Sequence, residues 1–285
     1  MVEPVVVTDR PGRHLTIRLA LEQVVVTESR YGAGQRGPRP HVHRLHTDCF
    51  YVIDGALTLS LADGDRVFGP GSFVLVPPNV VHSFRIDGPL ETRFLNMHAP
   101  GMAFDRYVQG IGGTGDAFQV ERAARYDQYP PPKDGGLDPA TVIVRTAGTD
   151  AVDIAGVEIG FLADADETLG GIGLIECTAP PSFPGPPLHI HERTWDAYYV
   201  LEGRLAVHLG NEQFELEPGD VAAVPPGIAH GFSNALDAPT RFLDVYAPGG
   251  FEHYLREVAV TTVGDVPPVP AVMAQIASRY DVKPV

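Results

Sequence analysis

Cysteine is scarce in this chain. Its 285 residues include 2 cysteines, Cys49 and Cys177, too few for the disulfide framework that holds small secreted domains together. Both sit in apolar stretches, TDCFYV and LIECTA, where a buried thiol is the ordinary reading. Long hydrophobic runs are missing too: none approaches the roughly 18 apolar residues of a membrane-spanning helix. The opening MVEPVVVTDRPGRH carries Glu3 and Asp9 where a secretory signal wants a basic start. These absences predict a cytoplasmic protein with no membrane partner. Positive charge is in deficit, with 21 Lys and Arg against 36 Asp and Glu and a net charge of −15 with histidine neutral. A surface of that sign repels a phosphate backbone and argues against nucleic acid as the main partner. Small molecules stay open, because a pocket has its own local field.

Glycine (31) and proline (27), by contrast, are abundant. They follow no collagen period, and they suit many short strands joined by tight turns. With 44% hydrophobic and 20% charged residues the composition is that of a folded globular chain. The length exceeds one domain of about 100–150 residues and fits two, each with its own core.

Self-similarity is the strongest feature. A shift of 148 residues lays HVHRLHTDCFYVIDGALTLSL (41–61) on HIHERTWDAYYVLEGRLAVHL (189–209) without a gap. The same shift lays GPGSFVLVPPNVVHSF (69–84) on EPGDVAAVPPGIAHGF (217–232), and FLNMHAPG (94–101) on FLDVYAPG (242–249). Folding needs alone explain the repeated glycines, prolines and apolar positions. They do not explain three histidines and a carboxylate in each copy. AARYD (123–127) resembles ASRYD (277–281), so each copy closes on a similar segment. The expected organisation is a first unit over 1–127, a linker over 128–140 rich in Pro, Gly and charge, and a second unit over 141–285. The segments 15–28 and 142–179 supply the leading strands of the two units.

Within each copy, runs of five or six β-branched or aromatic residues alternate with Gly- and Pro-bearing turns. CFYVI, LTLSL, SFVLVP, VHSFRI and RFLNMH read as strands. Leu57, Leu59 and Leu61 share one face, as do Leu205, Val207 and Leu209. Evenly spaced short strands predict an all-β fold, a duplicated jelly-roll barrel. Helix is expected only around 117–125 and 270–280, the latter started by Pro270.

His41 and His43 stand two apart, so in extended chain their rings project from one face toward one point. Asp48 opens the next strand, and His82 opens another after the turn PPNV. Three neutral imidazoles and a carboxylate suit a borderline divalent ion such as Fe, Ni, Mn, Zn or Cu. His189, His191, Asp196 and His230 repeat the set, giving up to one ion per domain. The bland alternative, hydrogen-bonded structural histidines, fits a lone strand histidine better than a duplicated set. Of the remaining histidines, His14 and His253 read as surface residues and His208 as structural. His46 and His98 either border the first pocket or serve the fold. Phe50, Val52, Phe84, Tyr198, Val200 and Phe232 either line apolar pockets or fill the barrel cores, and Trp195 either borders the second site or serves an interface or the core.

These residues resemble the cupins, and the duplication resembles a bicupin. The first cupin motif has the general form G-x5-H-x-H-x(3,4)-E-x6-G. HVHRLHTDCFYVIDG and HIHERTWDAYYVLEG keep its histidines, the spacing to the acid and the closing Gly55 or Gly203. The second motif, G-x5-P-x-G-x2-H-x3-N, is met at Gly71, Pro77 and His82, and in full at Gly219, Pro225, Gly227, His230 and Asn234. The departures are Asp48 and Asp196 for the usual glutamate, Gln35 and Phe183 for the leading glycine, Asn79 for glycine and Ile86 for the final asparagine. Asn79 can still adopt the left-handed conformation a glycine would take there.

The layout is similar to that of quercetin 2,3-dioxygenase-like bicupins. That resemblance implies a metal held by His41, His43 and His82, and by His189, His191 and His230. Asp48 and Asp196 would serve as ligand or as base. It further implies a dioxygenase that acts, with O2, on an oxygen-rich aromatic or enolisable small molecule. Non-redox isomerase, lyase or decarboxylase chemistry is the alternative on the same fold, and a non-catalytic binding module is a third. Monomer and homodimer are both compatible with a chain that already carries a pair of barrels.

Overall fold

The computed structural model describes residues 1–111, 124–262 and 269–285. The chain divides into a unit of Glu3–Thr146 and a unit of Ala147–Val285 that also takes in Met1–Val2. The first unit holds β1 (Val5–Arg10), β2 (Arg13–Ala20), β3 (Val25–Tyr31), β4 (Thr47–Asp54), β5 (Leu57–Leu61), β6 (Gly64–Phe68), β7 (Ser72–Val76), β8 (His82–Arg85), β9 (Thr92–Ala99), α1 (Phe104–Ile111) and β10 (Ile143–Thr146). They form a 7-stranded sheet, β1-β2-β3-β9-β4-β7-β10, and a 3-stranded sheet, β6-β5-β8.

The second unit holds β11 (Val152–Ile154), β12 (Val157–Ala163), β13 (Gly173–Ala179), β14 (His189–Ile190), β15 (Trp195–Glu202), β16 (Leu205–Leu209), β17 (Glu212–Leu216), β18 (Val221–Val224), β19 (His230–Ser233), β20 (Thr240–Ala247), α2 (Phe251–Thr261), α3 (Pro270–Ala277) and β21 (Lys283–Pro284). Its sheets are β11-β12-β13-β20-β15-β18 and β17-β16-β19-β14-β21. The expected all-β duplicated barrel is the architecture found.

The alternation read in the sequence becomes the core. Phe50 and Val52 of β4, Leu57 and Leu59 of β5, Val74 and Val76 of β7 and Phe94 of β9 meet in one cluster. Tyr198 and Val200, Leu205 and Val207, Ala222 and Val224, and Phe242 build its counterpart. Each fully buried large side chain of this kind contributes roughly 1.5–3 kcal/mol. Phe50, Val52, Tyr198 and Val200 are therefore barrel core, with Phe84 and Phe232 packed against it.

Three features differ from the sequence expectation. The division falls between Thr146 and Ala147, not between 127 and 141. β10 pairs antiparallel with β7, Ile143 opposite Leu75 through Thr146 opposite Ser72, so this strand completes the first sheet instead of leading the second. The segment 128–140 is also docked: Tyr129 bridges Val42, and the Leu137 N–H donates to the Asn79 carbonyl at 2.8 Å. Finally, α1 and α2 follow the cis-proline turns at Pro100 and Pro248, where no helix was expected. α1 buries Phe104 and Val108, four residues apart, on Ile17 and Val25. The expected helix at 270–280 is α3; the one at 117–125 falls almost wholly outside the described residues.

Gly55 closes the β4–β5 turn with φ +78°, and an added Cβ there would meet the Glu91 carbonyl oxygen at 2.5 Å. Gly203 repeats the geometry at φ +82°. Gly55→Ala should destabilise the protein by about 2–4 kcal/mol, from left-handed strain plus a backbone clash. Gly69→Ala, with nothing within 4 Å of the added carbon, should be nearly neutral. Urea denaturation midpoints of the two variants check this.

Candidate metal centres

His41 lies outside any long strand. It bridges His82 of β8, and Val42 after it bridges Tyr129, so the HxH segment is extended by single bridges on both sides. The ring centroids of His41 and His43 come to 4.8 Å, of His41 and His82 to 4.4 Å, and of His43 and His82 to 5.1 Å. Asp48 enters from the start of β4, its Oδ2 3.0 Å from His82 Nε2 and 3.5 Å from His43 Nε2. In the second unit β14 pairs His189 with His230 directly. The corresponding centroid distances there are 5.0, 4.5 and 5.2 Å. Asp196 Oδ2 stands 3.0 Å from His230 Nε2 and 3.8 Å from His191 Nε2. In each set the four candidate ligand atoms lie within 4.8 Å of one another.

All six rings are turned the same way. Nδ1 of His41, His43 and His82 donates to the carbonyls of Arg39 (3.0 Å), Asp127 (3.0 Å) and Val80 (2.9 Å). Nδ1 of His189 and His230 donates to Pro187 (3.1 Å) and Ile228 (2.8 Å), and that of His191 to Asp281. A neutral ring that donates through Nδ1 presents a lone pair at Nε2. Three lone pairs and a carboxylate therefore converge, and His43 Nε2 and His191 Nε2 are buried with no hydrogen-bond partner. Such a set repels itself unless a cation joins it, and its donors suit a divalent transition metal.

The local field agrees. Burial, with His46 close by, lowers His43 to about 4, and burial with His230 and His191 lowers His189 to about 4. His43 and His189 are therefore neutral at neutral pH, whereas burial of His230 is outweighed by the Asp196 carboxylate beside it, which raises that ring. Burial pushes Asp48 up, but His98, His43 and His82 outweigh it and hold the carboxyl well below the usual range. Burial also opposes the charge of Asp196, and Asp244 and His230 more than offset it.

The Cupin domain family matches residues 27–98 and again 175–246. The chain belongs to the cupin family and is a bicupin. The Bacillus subtilis (strain 168) quercetin 2,3-dioxygenase is 35% identical over 101 residues, which cover 33% of this chain and 29% of that protein. The Aspergillus japonicus quercetin 2,3-dioxygenase is 25% identical over 254 residues, covering 67% of this chain and 70% of that one. Among solved structures, the Bacillus subtilis oxalate decarboxylase studied for its Mn(II) centres superposes with a TM-score of 0.61 at 15% identity, over 99% of this chain and 87% of that one. At that identity the likeness is one of fold.

The two cupin centres share their inner donors and differ behind them. In the first, the Asn96 amide donates to Asp48 Oδ1 and, at 3.2 Å, to the Cys49 carbonyl. His98 Nε2 lies 3.0 Å from Asn96 Oδ1, and His46 Nε2 lies 2.8 Å from His98 Nδ1. His46 Nδ1 is in turn 2.8 Å from Asp127 Oδ2. A buried polar chain thus joins Asp127 to Asp48. In the second, Asp244 stands at the Asn96 position, Tyr246 at His98, Tyr198 at Phe50 and Thr194 at His46. Tyr198 donates to Asp196 Oδ2 at 3.0 Å, and Tyr246 to Asp244 Oδ2 at 2.8 Å. Burial and the Asp196 charge push Asp244 well above the carboxylate range, so Asp244 carries the proton of the pair.

All eight expected ligands are thus brought together, four in each cupin unit. His46 and His98 border the first centre. His208 bonds Ser233 at 3.0 Å as a structural histidine, while His14 and His253 are 42% and 36% exposed. Trp195 is half-buried. The sequence reading passed over Asn96 and Asp244, although FLNMH and FLDVY align a polar residue in the middle of an apolar strand. Asn79 has φ 67°, the left-handed conformation expected of it. Asn234 ties down its turn through the carbonyls of Pro180 (2.9 Å) and Ala238 (2.8 Å), while Ile86 in its place is simply buried. A further acidic cluster, Asp164, Glu252 and His253, is satisfied internally. Glu252 accepts from the N–H groups of Ala165 (2.8 Å) and Gly250 (2.7 Å), and Arg256 pairs with Asp164.

A lowered histidine value makes stability depend on pH. Between about 4 and 6.5 the unfolded chain binds a proton that native His43 refuses, so its contribution is complete above 6.5 and is lost as pH falls toward 4. That loss amounts to roughly 3 kcal/mol for this one ring. Urea midpoints of the metal-free bicupin, measured from pH 7 to pH 4, should fall steadily with acid. A His43→Gln variant should show a shallower fall.

Proposed function

We propose that this bicupin is a metal-dependent dioxygenase acting, with O2, on an oxygen-rich aromatic or enolisable small molecule. The observation that carries the reading is its sequence likeness, spanning two thirds of the chain in one case, to proteins named quercetin 2,3-dioxygenase. Two buried sets of three imidazoles and one carboxylate supply the matching equipment. His41, His43 and His82 would hold one divalent ion and His189, His191 and His230 another, with Asp48 and Asp196 as fourth ligand or as base.

A bound ion would polarise the oxygen of an enolisable substrate and leave room beside it for dioxygen. The protein does the rest. Asp48 and Asp196 are ionised at neutral pH, so either can accept the substrate proton. Asp48 Oδ1 is engaged by Asn96, which leaves Oδ2 toward the histidines as the accepting atom. Burial of the ligands excludes bulk water and strengthens each electrostatic contact. Iron, nickel and manganese suit this chemistry, and zinc suits a non-redox reaction. Neither buried cysteine forms a disulfide, which supports a reducing, cytoplasmic setting. Among the described residues no helix is long and apolar enough to cross a membrane. A small molecule and O2 are the only partners the reaction needs, in a monomer or a homodimer.

Aspartate, one methylene shorter than glutamate, reaches less far into the pocket, and this favours a non-redox lyase or decarboxylase as the second reading. Oxygen uptake by protein loaded separately with Fe, Ni, Mn or Zn separates the two, across flavonols, catechols and 1,3-diketones. Metal-dependent uptake should appear with a redox-competent ion and vanish in a His43→Ala/His191→Ala double variant. Anaerobic turnover of a keto acid with no uptake on any panel member would replace the dioxygenase by the second reading.

A further inference from the structure

Arg-Tyr-Asp recurs late in each copy, as Arg125–Asp127 in the first and Arg279–Asp281 in the second. The shift of 148 does not carry one aspartate onto the other, because Asp127 follows His43 by 84 residues and Asp281 follows His191 by 90. The two nevertheless arrive at the same place. The Asp127 carbonyl accepts from His43 Nδ1, and its carboxylate accepts the backbone N–H groups of Arg44 (3.0 Å) and Leu45 (2.7 Å). The Asp281 carbonyl accepts from His191 Nδ1, and its carboxylate accepts the N–H groups of Glu192 (2.9 Å), Arg193 (2.9 Å) and Thr194 (3.0 Å). One residue thus grips both the ring of the second histidine and the turn that follows it.

The chain leaving each aspartate closes the grip. Tyr129 exchanges backbone bonds of 3.0 and 2.9 Å with Val42, the residue between His41 and His43. Lys283 pairs with Ile190, the residue between His189 and His191. Convergence from different loop lengths means that the contact itself is what the two units have in common. Asp127 is 1% exposed and holds φ 59°, a conformation costly for a residue other than glycine unless its side chain is bound locally.

We propose that Asp127 and Asp281 are the positioning residues of the two centres, each fixing the second histidine of its HxH pair and so setting the metal affinity of its own centre alone. This rests on reading both centres as metal sites. The carboxylate is the part a substitution can remove, since the carbonyl that holds the ring belongs to the backbone. Without it the turn after the histidine loses two or three hydrogen bonds, and the carbonyl under the ring loses the side chain that pins it in place. Loss of an outer partner of this kind typically weakens metal affinity by about 10–100-fold.

The test uses the full-length chain titrated with Ni(II) alone by calorimetry, with bound metal counted by elemental analysis. His82→Ala and His230→Ala variants each isolate one centre. Wild type should bind one ion per unit. Asp281→Ala should weaken binding about 10–100-fold in the His82→Ala background and leave it unchanged in the His230→Ala background. Asp127→Ala should do the reverse. Asp281→Asn, which keeps one acceptor oxygen but turns its NH2 toward an N–H donor, should recover part of the loss, and Cu(II) electron paramagnetic resonance of the affected centre should shift with Ala and move back toward wild type with Asn. Unchanged affinity in both aspartate variants would overturn the proposal. So would equal loss at both centres with altered circular dichroism, which marks a purely structural role. Absence of any Ni(II) binding by wild type would instead remove the metal reading on which the proposal stands.

Discussion

A histidine can offer a metal only the nitrogen that is not already engaged, and the order of these two centres starts from that constraint. Six rings each commit Nδ1 to a backbone carbonyl. The commitment fixes the ring plane and aims six Nε2 atoms inward. For His41, His82, His189 and His230 the carbonyl lies two residues upstream, so the local backbone alone supplies it. For His43 and His191 it comes from Asp127 and Asp281, far along the chain. Strand register does the remaining work by setting His41 against His82 and His189 against His230.

What the sequence revealed follows from what repeats and what is local. Period-two alternation and fixed glycines made the barrels legible, and a constant shift picked out the two sets of residues that the fold brings together, down to Asp48 and Asp196. The strand 143–146 was assigned to the wrong sheet because IVRT says only that it is a strand. Its partner is decided by the open edge of β7, which lies far away in sequence. Asn96 and Asp244 acquire their role from cross-strand register, Asn96 opposite Phe50 and Asp244 opposite Tyr198, next to the acids they support. The role of the Arg-Tyr-Asp segments stayed hidden because it depends on where the chain returns. The helix after each cis-proline turn is short, and its few apolar positions only gain meaning once a sheet lies beneath them.

Equal ligands sit on unequal foundations. Asn96 supports Asp48 with an amide proton that it always has, while Asp244 can support Asp196 only by keeping a proton of its own. The second centre therefore buries two carboxyl groups and two tyrosine hydroxyls where the first buries one carboxyl group, an amide and a pair of histidines. A low-dielectric interior magnifies this difference, because each buried polar group acts on its neighbours with little screening.

The layer behind the ligands has consequences beyond the two centres themselves. A single backbone plan already tolerates Asn or Asp at one position, His or Tyr at another, and Phe or Tyr at a third, with the inner donors unchanged. Each copy thus serves as a folded control for the other. Exchanging residues 96 and 244, or 98 and 246, transplants one environment into the other barrel using side chains whose fit the same molecule has demonstrated. The protein carries, in its own duplicate, a starting library for redirecting what either centre does.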